Sequence, residues 1–188
     1  MIRVGLRHPA GAALLALSCA QAQAPTDLRV ALVIGNAAYA DAPLVNPSND
    51  ARAMSATLKG MGFAVIEARD ASRAQMEQAI AKTREALNGK GGVGMLYYAG
   101  HGLQLDWHNY LVPIDARLAT AADVALQTVD LQQVVDAFKA AGNRMNIVVL
   151  DACRDNPFAA TSSGKGLAPL DAPPGTFLAY ATAPGNVA

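Results

Sequence analysis

This 188-residue chain predicts an α/β fold built on a mostly parallel sheet with helices on both faces. Three observations carry that expectation. Short apolar runs rich in β-branched and aromatic residues recur at 29–35 ("RVALVIG"), 93–99 ("VGMLYYA") and 145–151 ("MNIVVLD"). They are near-continuously apolar rather than alternating, as in strands buried on both faces. Between them lie segments with apolar residues at helical spacing, several opened by a capping signal.

Taken in order, 29–35 is the first strand and ends in Gly35. "NAAYADAPLVNPSND" is a polar, proline-containing loop. Ser48 is expected to cap a helix running to about Lys59, with Ala51, Met54 and Leu58 on one face and Gly60 and Gly62 to stop it. "FAVIEA", 63–68, is a second strand. Ser72 and Gln75 form a capping-box pair for a helix to about Leu87. "NGKGG" then breaks the chain before the strand at 93–99, and 103–112 reads as a hairpin excursion. Asp130 and Gln133 form another capping pair, followed by a stripe of Leu131, Val134, Val135 and Phe138. The strand at 145–151 leads into the linker "FAATSSGKGLAPLDAPPG", and "TFLAYAT", 176–182, is the last strand. A helix to cover that strand is missing before Ala188, so the domain is expected to be truncated at its carboxyl end.

The bulk numbers narrow the function. The length suits one domain with a sizeable core. Hydrophobic residues make up 52% of the chain and charged residues 16%, which argues against disorder. The formal net charge is zero, so nothing points to nucleic acid or an anionic membrane as a partner.

Residues 1–24, "MIRVGLRHPAGAALLALSCAQAQA", have the layout of a secretory signal peptide: Arg3 and Arg7, an apolar run, then small-residue sites. The run is too short for a stable transmembrane anchor. The expectation is export to the periplasm or the extracellular space, leaving 25–188 as the mature domain; lipid attachment at Cys19 is the alternative. Losing Arg3 and Arg7 leaves 13 basic against 15 acidic residues, a net charge of −2. An exported chain would then carry one cysteine, Cys153, with no partner for a disulfide. Such a thiol is either a small buried hydrophobe or a group in use.

Sheets of this kind carry their sites at the carboxyl ends of the strands. The third predicted strand ends in "YYAGHG", with His101; the fourth ends in "DACRD", with Cys153. Neighbouring strand ends converge on one edge, so an imidazole and a thiol 52 residues apart along the chain would meet there. A thiol of pKa ~8.5 is mostly protonated at neutral pH. An adjacent imidazole can take that proton and later hand one to a leaving amine. Glycines on either side of His101 would let a substrate backbone come close. The backbone N–H groups of Gly102 and Cys153 are candidate donors to a developing oxyanion.

These residues carry a family resemblance. Asp151-Ala152-Cys153-Arg154-Asp155 resembles the caspase motif Gln-Ala-Cys-[Arg/Gln/Gly]-Gly, whose His lies about 50 residues upstream, with Asp in place of Gln. "YYAGHG" resembles the metacaspase pattern Tyr-Ser-Gly-His-Gly, with Ala99 for Ser. "RVALVIGN", "NPSNDA" and "MGFAV" resemble that family's opening strand, helix and strand. Over about residues 28–188 the chain is thus similar to the caspase-like cysteine peptidases of clan CD (peptidase C14), nearest the bacterial metacaspase type. The resemblance implies a three-layer α/β/α sandwich, polypeptide substrates, His101 as general base and acid, and Cys153 as nucleophile. It also implies an oxyanion hole at Gly102 and Cys153, and Asp151 in the pocket for the residue before the scissile bond. Metacaspases with Asp there cleave after Arg or Lys, and a carboxylate in a partly dry pocket suits guanidinium or ammonium. For Asp151 the plain alternative is a helix N-cap. Lys165, in the linker, is a candidate for self-cleavage. A catalytically silent module that binds peptides is the rival reading for the whole domain.

Other features carry less. "KGGVG" precedes a strand and lacks the closing Lys-Ser/Thr of a phosphate loop. His108 reads as a hairpin surface residue with no second ligand at metal spacing. Asn49 and Asp50 could face the site edge, but capping explains them equally well. Asp70 and Asp155 read as loop or cap carboxylates. No cofactor is expected; calcium activation, known among metacaspases, finds no loop of EF-hand spacing. No G-x-S-x-G turn offers a serine nucleophile.

Overall fold

A computed structural model describes residues 28–153, 167, 168, 170 and 172–181. The leader, Asp155 and Lys165 lie outside the described residues. The elements are β1 (Arg29–Gly35), α1 (Pro47–Gly60), β2 (Ala64–Arg69), α2 (Arg73–Leu87), β3 (Val93–Leu105), β4 (His108–Leu111), α3 (Ala121–Gln127), β5 (Val129–Asp130), α4 (Leu131–Ala140), β6 (Met145–Cys153) and β7 (Thr176–Tyr180).

Five strands form a parallel sheet in the order β2-β1-β3-β6-β7. The far half of β3 also pairs antiparallel with β4, and β4 with β5. Alternate residues of the apolar runs feed two cores, which is why those runs are apolar throughout. On one face Ala31, Val33, Met95 and Tyr97 pack with Ala51, Leu58 and Phe63 from α1 and the turn after it. On the other, Leu32, Ile34, Leu96, Tyr98, Val148 and Leu150 pack with Met76 of α2 and Leu131, Val134, Val135 and Phe138 of α4. Each such large side chain, fully buried, contributes about 1.5–3 kcal/mol. The result is the three-layer α/β/α sandwich.

Several boundaries differ from expectation, for identifiable reasons. The α1 helix is capped by Asn46, not Ser48: Pro47 opens the first turn with its φ pre-set, and the Asn46 carbonyl takes the amides of Asn49 and Asp50. Ser48 instead turns its hydroxyl to Asp70, at 3.3 Å. For α4, Asp130 does cap, but it accepts from the Gln132 amide at 2.8 Å rather than exchanging bonds with Gln133. The α2 capping box of Ser72 and Gln75 forms as expected. A short helix, α3, adds to the elements the sequence predicts; its capping pair is Thr120 with Asp123.

The main difference is β3, which runs six residues past Ala99. The sequence ends the strand at Ala99, yet it continues through Gly-His-Gly into a two-residue turn, Asp106–Trp107, both at positive φ. That is the geometry a tight hairpin requires. Gly35 has a related task. A Cβ there would lie 2.5 Å from both the Pro47 carbonyl and the Ala51 Cβ, so glycine lets α1 start directly over the end of β1. Among the described residues no helix is long and apolar enough to cross a membrane.

Candidate active site

The candidate site lies where β3 changes partner. Up to His101 it pairs with β6, the last register pair being His101 with Cys153; from Gly102 it pairs with β4. A strand that leaves one neighbour for another opens a crevice at the sheet edge. Register partners on adjacent strands sit roughly 5 Å apart, Cα to Cα. The backbone thus brings His101 and Cys153, far apart in sequence, to adjoining positions at that crevice.

Two tyrosines hold His101 by its backbone. Tyr39 accepts the His101 N–H at 3.0 Å and donates to the Val112 carbonyl at 3.0 Å. Tyr98 donates to the His101 carbonyl at 2.6 Å and accepts the Val112 N–H at 3.2 Å. Burial is the largest influence on Tyr39 and pushes its pKa up to about 12, so the phenol keeps the proton that this exchange uses. Gly100 makes the arrangement possible: a Cβ there would fall 2.7 Å from the Tyr39 hydroxyl and 2.8 Å from that of Tyr98. At Gly102 a Cβ would press on Ala152 and Leu167, each at 3.2 Å. Protein packing therefore demands glycine at 100 and makes any side chain at 102 a tight fit, where the sequence suggested room for substrate.

The imidazole is oriented by the loop after β1. His101 Nε2 lies 2.7 Å from the Ala42 carbonyl, and the ring stands 4.4 Å from that of Tyr39, centroid to centroid. A carbonyl only accepts, so Nε2 carries a hydrogen and the neutral ring keeps its lone pair on Nδ1.

That loop is itself tied down. Buried Asn36 accepts the Ala71 N–H at 2.9 Å and donates to the Val112 carbonyl at 3.2 Å. Asp70 accepts the amides of Ala37 and Ala38 at 2.8 and 2.9 Å. Burial works against the Asp70 charge, but those amides, the Ser48 hydroxyl and Arg69 outweigh it and hold the carboxyl below its ordinary 3.8. A depressed acid stabilises the fold above its unfolded pKa, and that contribution is lost as pH falls through the folded value. Asp70→Asn, which tolerates the positive φ at this position, is expected to cost about 1 kcal/mol at pH 7. Urea unfolding at a series of pH values should show the difference from wild type constant above about pH 5 and shrinking below 4.

Asp151 stands in β6 opposite Ala99. It is a strand residue and not the helix N-cap that was the alternative. Its Oδ2 accepts the Tyr97 hydroxyl at 3.3 Å. It lines a cavity of about 320 Å³ together with Asp50, Ala99, Gly100 and the loop segment Leu44–Pro47. Burial, followed by the charges of Asp151 and Asp50, raises the Tyr97 pKa well above its usual value. Two carboxylates thus act on one phenol beside this cavity. Asp50 is the residue that the sequence left undecided; its place in the first turn of α1, over the end of β1, puts it there. His108 is elsewhere, exposed on the hairpin 3.3 Å from Asp130. No group of three or more metal-binding side chains occurs among the described residues.

A family model described as "Caspase domain" matches residues 28–188. The chain belongs to the caspase-domain family. Among curated proteins, this caspase domain is 31% identical over 127 residues to human mucosa-associated lymphoid tissue lymphoma translocation protein 1, and equally to its mouse homolog. The match covers 67% of this chain and 15% of each relative, so the chain spans a small part of those proteins. Among solved structures, protein GSU0716 from Geobacter sulfurreducens aligns with a TM-score of 0.53 and 25% identity, over 67% of this chain and 50% of that one. The Drosophila initiator caspase Dronc aligns with a TM-score of 0.54 over 85% of this chain and 56% of its own, at 15% identity. That likeness is one of fold. The caspase domain accordingly has the architecture of a cysteine peptidase family, with an acidic cavity beside its His–Cys register pair.

Proposed function

We propose that this protein is a cysteine endopeptidase that cleaves polypeptides after Arg or Lys, exported once residues 1–24 are removed. The observation that carries the reading is the His101–Cys153 register pair at the β3 partner change, next to a cavity holding Asp50 and Asp151.

In this reading the His101 Nδ1 lone pair takes the Cys153 thiol proton as sulfur attacks the scissile carbonyl carbon. The negative charge passes to the carbonyl oxygen, which the backbone N–H groups of Gly102 and Cys153 receive. The C–N bond then breaks, and His101 returns the proton to the leaving amine, leaving a thioester on Cys153. Water, deprotonated by His101, attacks that thioester. The acid product leaves and the thiol is restored. No cofactor enters these steps. The Ala42 carbonyl acts as a positioning group: it accepts from Nε2, keeps Nδ1 as the base and steadies the imidazolium that forms. Asp151 and Asp50 receive the guanidinium or ammonium of the residue before the scissile bond. Lys165 is a candidate self-cleavage point for the same specificity.

The test is a set of fluorogenic peptides ending in Arg, Lys or Asp, given to the full-length protein. Cleavage after Arg and Lys is expected. Preference for Asp would refute the role of the two carboxylates. No cleavage, with peptide binding retained in Cys153→Ala, would make this a binding module instead.

A further inference from the structure

A second cavity, of about 240 Å³, borders the site, and its walls include Tyr39, His101, Leu103, Val112, Ile114 and Leu118. It differs in character from the acidic cavity: Leu103, Val112, Ile114 and Leu118 make its aliphatic part, and exposed Asp41 and Arg117 add one charge of each sign to its lining. Its position relative to the acidic cavity is set by two chain segments that pass from one to the other in step. Along β3, Ala99 and Gly100 line the acidic cavity, and His101 and Leu103 the apolar one. Along the loop after β1, Leu44–Pro47 line the acidic cavity, and Tyr39–Ala42 the apolar one. The His101–Ala42 hydrogen bond therefore stands on the partition between them.

Chemistry assigns the two sides. A general acid must reach the leaving amine nitrogen, and that nitrogen belongs to the first residue after the scissile bond. With the preceding basic residue in the acidic cavity, the departing part of the substrate has to continue past His101, onto the apolar side. We propose that this cavity receives an aliphatic or aromatic side chain from the residue that follows the scissile bond. The protein then reads a pair, basic then apolar, across His101. The proposal rests on the peptidase reading above, and it adds a determinant that the acidic cavity cannot supply. Leu103 and Val112 are buried in a small core with Val124, so the floor of the cavity is preformed, as tight apolar recognition requires.

The experiment uses the full-length protein and internally quenched peptides identical except for the residue after Arg: Leu, Gly or Asp. Filling an apolar pocket is worth at least about tenfold in kcat/KM, so Leu should exceed both Gly and Asp by that factor. In Ala116→Trp, which fills the cavity from its wall, the Leu-to-Gly ratio should fall to near one. A ratio measured within one preparation is insensitive to a fraction of misfolded variant. Equal cleavage of all three peptides overturns this proposal and leaves the peptidase reading intact. A preference for Leu that survives in Ala116→Trp also overturns it, because the side chain is then read elsewhere. If none is cleaved, the peptidase reading fails. Fluorescence anisotropy of the same peptides on Cys153→Ala then decides the cavity separately: tighter binding of the Leu peptide upholds it, and equal binding overturns it.

Discussion

Exchanging His101 for alanine is expected to lower kcat/KM on an arginine-ended peptide by about 10²–10⁴-fold, the range general acid–base catalysis supplies. The expectation follows from the way this residue is held. Both backbone groups are bonded to tyrosine hydroxyls, Nε2 is engaged by Ala42, and one lone pair remains for proton transfer. Because the same ring both takes the thiol proton and supplies the amine proton, its loss should fall mainly on kcat and little on KM. Cys153→Ala should be at least as damaging, and the double variant should be little worse than either single one, since groups acting as a unit are non-additive. A drop confined to KM would place His101 in binding rather than in chemistry.

Neutralising Asp151 should have the second-largest effect. Asp151→Asn keeps the shape of the side chain and an acceptor for Tyr97, but removes a charge from a cavity that already holds Asp50. Losing one partner of a partly desolvated ion pair costs about 2–4 kcal/mol, so kcat/KM on Arg and Lys peptides should fall by roughly 30- to 1,000-fold. A peptide with a neutral residue at that position should be affected far less. Asp50→Asn should lower the same rate by at most about fivefold, because Asp151 still supplies one carboxylate. Arginine and lysine peptides are the right pair for the measurement, since a bidentate carboxylate contact favours the planar guanidinium. If Asp151→Asn slowed basic and neutral substrates equally, the carboxylate would be supporting the fold of the strand end and not reading charge.

The features legible in the sequence are those governed by local rules. The apolar runs of β1, β3 and β6 announce buried parallel strands because both faces are covered, and Ser72 with Gln75 announces α2 because capping is a short-range bond pattern. His101 and Cys153 could be singled out because strand ends of a parallel sheet share an edge. What was not legible depends on contacts between distant segments. The role of the glycines beside His101 is set by Tyr39, about 60 residues upstream, and by Leu167, about 65 downstream. Asp50 gives the same local signal as any first-turn carboxylate, and only the close seating of α1 over Gly35 brings it to Asp151. Asp70 reads as a turn residue, yet its carboxylate holds the loop that orients the imidazole. The continuation of β3 through Gly-His-Gly is likewise a tertiary effect, since β6 on one side and β4 on the other extend the ladder where local propensity would end it.

The most direct check on the pairing of imidazole and thiol is the alkylation rate of Cys153 by an arginine-bearing chloromethyl ketone at neutral pH, followed by peptide mapping, in wild type and in His101→Ala. Thiolate is the reacting species, and a lone thiol supplies only a few per cent of it under these conditions. Rapid labelling at Cys153 is expected in the wild type, with a loss of at least about tenfold without the imidazole. Equal rates in the two proteins would contradict the pairing.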